Sequence, residues 1–99
     1  MIQGTTPTHT FTLPFDVSMI DKVRIIYAQN DTPVVTKNTE DCKLEGNDVF
    51  VVLTQEDTFA FDHNEHVEIQ IRLLTTEGKA IASHVKRIDC AKCLENEVL

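Results

Sequence analysis

Ninety-nine residues with a formal net charge of −7 and a pI near 4.9 leave room for one domain. Surface scaling lets such a chain bury roughly 65% of its unfolded surface, enough for a modest core without staples. The acidic balance favours solubility, and it argues against nucleic acid, whose phosphates need clustered Lys and Arg, because the nine here are scattered.

The N-terminal MIQGTTPTHTF has neither a positive n-region nor a long apolar run, so no secretory signal is read there. No window approaches the ~18 apolar residues of a membrane span. Three cysteines, Cys42, Cys90 and Cys93, are too few and odd in number for a secreted disulfide framework. Synthesis and folding in the cytoplasm are therefore expected.

Phe11, Leu13 and Phe15 alternate with Thr10, Thr12 and Pro14, which predicts a first strand over residues 8–13, ended where Pro14 removes a donor. Asp16 then caps one helical turn, 17–20. KVRIIYAQ at 22–29 reads as a second strand that exposes Lys22 and Arg24 opposite Val23, Ile25 and Tyr27, with Asn30-Asp31 as its turn. A third runs from Pro33 through Val34, Val35 and Thr36, where proline is tolerated only at the opening of a strand or on an edge. Cys42 and Leu44 share a face in a short fourth segment, and Glu45-Gly46-Asn47-Asp48 supplies the next tight turn.

VFVVLT at 49–54 is apolar on both faces, which marks a central or covered strand. Thr54-Gln55-Glu56-Asp57 has capping-box spacing and predicts a single helical turn crossing between sheets, before Phe59 and Phe61 plug the core. From Val67, apolar Ile69, Ile71 and Leu73 alternate with Glu68, Gln70 and Arg72, the clearest strand of the chain. A turn at Thr76-Glu77-Gly78 returns residues 79–89 antiparallel to it.

About seven short strands with tight turns and two helical crossings predict an all-β, two-layer antiparallel sandwich of immunoglobulin-like topology, residues 1–99 forming one domain. A tryptophan and an inter-sheet disulfide, the hallmarks of true immunoglobulin domains, are missing, and a small closed barrel is the rival arrangement. Residues 94–99 (LENEVL) read as a frayed tail or a docking arm.

Chemistry-bearing residues are few. His63 and His66 flank Asn64 and Glu65, an imidazole and carboxylate set that suits a transition metal, although on a loop the HxxH has no fixed geometry and needs a third ligand from elsewhere. Cys90 and Cys93 have the spacing of half a zinc knuckle, with Cys42 as a conceivable third thiolate or a disulfide partner. A single CxxC outside a βαβ setting is a weak sign, and a solvated turn and idle thiols are the plainer readings. His84 could face either way. Ser18 and Ser83 stand in no nucleophile elbow, and no Gly-rich phosphate loop exists among three glycines. No catalysis and no cofactor are expected. Tyr27 and most phenylalanines fall on core faces, which weakens the case for a sugar-binding platform.

The segments GTTPTHTFTLPFD, TEDCKLEGNDVFVVLTQEDTFAF, VEIQIRLLTTEGKAIAS and CLENEVL together resemble a group of small, mostly uncharacterised phage and prophage proteins of gut-type Gram-positive bacteria, encoded among tail and virion genes. The likeness covers nearly the whole chain. In architecture the chain is also similar to the β-sandwich domain at the N-terminus of phage baseplate upper proteins. Cys90 does not belong to the pattern. The resemblance implies a tail or baseplate structural module, present in the host cytoplasm during assembly and then in the virion. Its partners would be other virion proteins or its own copies, with no nucleic acid and no membrane. Sheet edges are the natural contact surfaces, so the Pro33 to Lys37 edge and the C-terminal arm are the candidates. Two further readings stay open: a recognition module for host-surface carbohydrate, using Tyr27 or His63, and a metal-dependent enzyme using His63, His66 and Glu65.

Overall fold

Alternation of apolar and polar residues is converted into two antiparallel sheets in the computed structural model, which describes residues 1–99. The first sheet has three strands, β1 (Thr8–Thr12), β5 (Asp48–Val52) and β4 (Cys42–Glu45), in the order β1-β5-β4. The second is built on β2 (Ile20–Gln29) and β6 (Val67–Thr75), with β3 (Thr32–Asn38) on the free side of β2. On the free side of β6 lie β7 (Ala80–Ala82) and β8 (Lys86–Ile88). These last two are one returning strand broken at 83–85. There the Ser83 hydroxyl accepts the Ile71 N–H, a side-chain bond that displaces part of the ladder.

Register follows parity. Val67, Ile69, Ile71 and Leu73 on β6 and Val23, Ile25 and Tyr27 on β2 are all buried, while Lys22, Arg24 and Arg72 point outward. Ile25 sits opposite Ile71, and Tyr27 opposite Ile69. From the other sheet, Val49 and Val51 close the core, which Leu53 and Phe61 complete. The result is an all-β two-layer sandwich rather than a closed barrel. In a constant-type immunoglobulin domain the second strand joins the first and fifth; here β2 instead lies between β3 and β6.

The turns follow local chemistry. Asn30 and Asp31 both adopt positive φ (51° and 62°), as the two-residue loop joining β2 and β3 requires. Asp16 accepts the Ser18 N–H at 2.8 Å and starts a 3-10 turn over Val17–Met19. Thr54 opens the short helix α1 (Gln55–Phe59): its hydroxyl accepts the Asp57 N–H at 3.0 Å, and the Asp57 carboxylate accepts the Thr54 N–H at 2.9 Å. A second 3-10 turn, Thr39–Asp41, carries β3 over to β4 from an Asn38–Asp41 box.

Both chain ends are tied down at the same place. Ile2 bridges Ala91 in parallel, and Gln3 reaches from there to the Phe61 carbonyl (2.7 Å) and accepts the Cys93 N–H (3.2 Å). No helix is long and apolar enough to cross a membrane.

Candidate interaction site

The HxxH segment is a turn ordered from below. Buried Gln29, the last residue of β2, donates to the Asp62 carbonyl at 2.7 Å and accepts the Asp62 N–H at 2.8 Å, while the Asp62 carboxylate takes the Asn64 N–H. This leaves His63 exposed; His66 pairs through Nδ1 with Asp89 at 3.0 Å, also in solvent. No group of three His, Cys, Asp or Glu side chains gathers anywhere to hold a metal.

Cys42, Cys90 and Cys93 are all free thiols. Burial pushes the Cys42 thiol up, helped by the charges of Asp41 and Glu40 against Lys37. Burial pushes Cys90 up as well, with Asp62 adding and the amino terminus opposing. Neutral thiols are poor nucleophiles and poor ligands. His84 lies exposed in the break between β7 and β8.

A polar tie joins the layers where only core was expected. His9 on β1 shares the inward parity of Phe11, and its Nδ1 lies 2.7 Å from the Tyr27 hydroxyl on β2 of the opposite sheet. Burial raises the Tyr27 phenol well above its ordinary range, so it keeps its proton and donates it. Burial, followed by the amino terminus and Lys86, lowers His9, so its ring is neutral and Nδ1 accepts. Tyr27 also meets Phe61 edge to face, with centroids 6.1 Å apart. Because Tyr27 is fully buried, it is closed to any sugar.

Nearby, Lys37 of β3 pairs with Asp57 of α1 at 2.7 Å, both side chains largely covered (15% and 21% exposed). Burial works against the Asp57 charge, but the Lys37 ammonium and the Thr54 N–H and hydroxyl outweigh it and hold the carboxyl below its usual range. These contacts lock α1 and β3 together and leave no charge free for chemistry.

The surface is where binding capacity lies. Edge strand β3 offers Pro33 and exposed Val34, and Val52, Val85, Met19 and Ile2 add further uncovered apolar groups. On the outer face of the larger sheet a shallow groove of about 630 Å³ crosses β2, β6 and β7. Leu74 and Ala80 line it on that face together with Lys22, Arg24 and Arg72, against a single acid, Glu40. Arg24 stands directly opposite Arg72, and none of the three cations has a carboxylate within ion-pair distance.

The C-terminal segment is partly tethered. Leu99 exchanges hydrogen bonds with the Gln55 amide (2.8 and 3.4 Å), yet the Leu94 and Leu99 side chains are 99% and 97% exposed. Glu95 and Glu97 lie between them, also in solvent.

No family model matches the chain, and comparisons with curated proteins and with solved structures find no significant match.

Proposed function

We propose that this chain is a structural module of a phage or prophage virion, in the tail or baseplate, that works through protein–protein contacts and turns over no substrate. Its surplus of surface carries the reading. The accessible area is 6289 Å², against about 5,700 Å² for a compact monomer of this mass. The radius of gyration is 14.1 Å, against about 12.6 Å for a chain of this length. A sandwich 46 Å long and 17 Å thick with uncovered apolar side chains on an edge strand and on both terminal segments is shaped to be covered by neighbours. The likeness of its segments to tail-gene products supplies the setting.

Quantitative mass spectrometry of purified particles tests this. The reading expects the chain at a fixed copy number relative to the major tail protein. Its absence from intact particles would overturn the virion assignment.

A further inference from the structure

We infer, building on the assembly reading, that the cationic groove on the outer face of the larger sheet is the docking site for residues Leu94–Leu99 of a second copy of this chain. The Glu95 and Glu97 carboxylates would lie on Lys22, Arg24 and Arg72.

Like charges directly opposite one another on paired strands repel. Arg24 and Arg72 are so placed, with Lys22 two residues along the same face, on a chain whose net charge is −7. With sixteen acidic residues available, the fold places none of them within ion-pair reach of these three cations. The guanidinium of Arg24 donates only to the neutral Asn38 amide, at 3.1 Å, and keeps donors to spare. Paired guanidinium forks are suited to carboxylates, which they bind through two parallel hydrogen bonds.

The spacing of the C-terminal segment fits. In an extended chain Glu95, Glu97 and Leu99 share one face, and residues two apart are separated by about 6.7 Å. Lys22 and Arg24 on β2 have the same two-residue spacing, so two carboxylates meet two cations in step. Within one molecule the segment goes elsewhere: it leaves Cys93, held at Gln3, and ends on Gln55, and none of its residues lines the groove. Docking in trans exchanges two exposed hydrogen bonds to Gln55 for two ion pairs. Groove and segment are different patches, so reciprocal exchange between two copies closes a two-fold dimer, whereas one-way docking generates a ring or an open chain.

The test uses the full chain in sedimentation velocity over a wide concentration range, with the double reversals R24E/R72E and E95K/E97K, their combination, and R24Q/R72Q as the milder groove variant. Folding is checked by circular dichroism. Each reversal is expected to weaken self-association at least ~10-fold and the combination to restore it, with the wild-type contact weakening in high salt. A synthetic peptide of residues 93–99 is titrated in parallel against the wild type while Arg24 and Arg72 are followed by NMR, and shifts there are expected. Self-association insensitive to all the charge variants would overturn the docking site while leaving the assembly reading in place. A wild type that stays monomeric and ignores the peptide would overturn both. Peptide binding at the groove without strong self-association would support the site alone.

Discussion

Replacing Tyr27 by phenylalanine removes one oxygen from the only side-chain hydrogen bond between β1 and β2 and leaves the ring's contact with Phe61 in place. The residue is fully buried, so water does not replace the lost partner. The lost hydrogen bond is worth about 0.5–1.5 kcal/mol net, and the stranded acceptor on half-buried His9 adds part of a desolvation penalty. Together these give about 1.5 kcal/mol, or a Tm lower by roughly 6–12 °C for a domain of this size.

The pH dependence of the same tie has a definite sign. The folded His9 lies below the ordinary imidazole value of 6.5, so as pH falls through 6.5 the unfolded chain takes up its proton first. Its contribution is complete above 6.5 and is lost between 6.5 and the lower folded value. His9→Gln keeps an acceptor oxygen but does not titrate. Urea unfolding followed by circular dichroism should therefore show the wild type losing stability relative to His9→Gln between pH 7.5 and 5.5. Parallel curves for the two proteins, or a Tyr27→Phe variant within about 0.5 kcal/mol of wild type, would refute the reasoning.

Gly4→Ala is expected to cost about 2–3 kcal/mol in the same unfolding assay, because φ there is +77° and a Cβ would come 2.6 Å from the Phe59 ring. Asp57→Asn should cost about 2 kcal/mol, since it leaves the covered Lys37 ammonium without its counter-charge and weakens the α1 cap. The folded Asp57 lies below 3.8, so the wild-type pair is intact above that value and fails as pH drops below it; acid unfolding of the Asn variant should lack this part. At pH 7.5, iodoacetamide should label Cys42 and Cys90 at least ~10-fold more slowly in the folded protein than in urea, as read by mass spectrometry, because burial keeps both thiols protonated.

What could be read in advance was local. The alternation from Val67 to Leu73, the Asn30-Asp31 turn, the Asp16 cap and the Thr54–Asp57 box each depend on a few adjacent residues, and each is where the spacing placed it. The Asn38–Asp41 turn uses one half of the same device, the Asp41 carboxylate accepting the Asn38 N–H, and is legible from the same spacing. VFVVLT is indeed central in its sheet, as its apolar faces suggested, yet Val52 is 53% exposed because nothing packs on that outer face. His9 was missed although parity with Phe11 would have turned it inward; threonines on both sides gave the segment a polar look. The break at Ser83 and the Ile2–Ala91 bridge depend on contacts distant in sequence, which periodicity does not encode. For the same reason the groove was invisible: Lys22 and Arg24 were legible as exposed, but only the β2–β6 register puts Arg72 beside them.

The central question is whether this sandwich is built to be covered by its neighbours. Light-scattering mass after size exclusion, measured across a wide concentration range with reductant and chelator as controls, tests that most directly. A defined oligomer, or a mass that climbs with concentration and falls back in high salt, is expected. A strict 11.2 kDa monomer at every concentration and salt would contradict it.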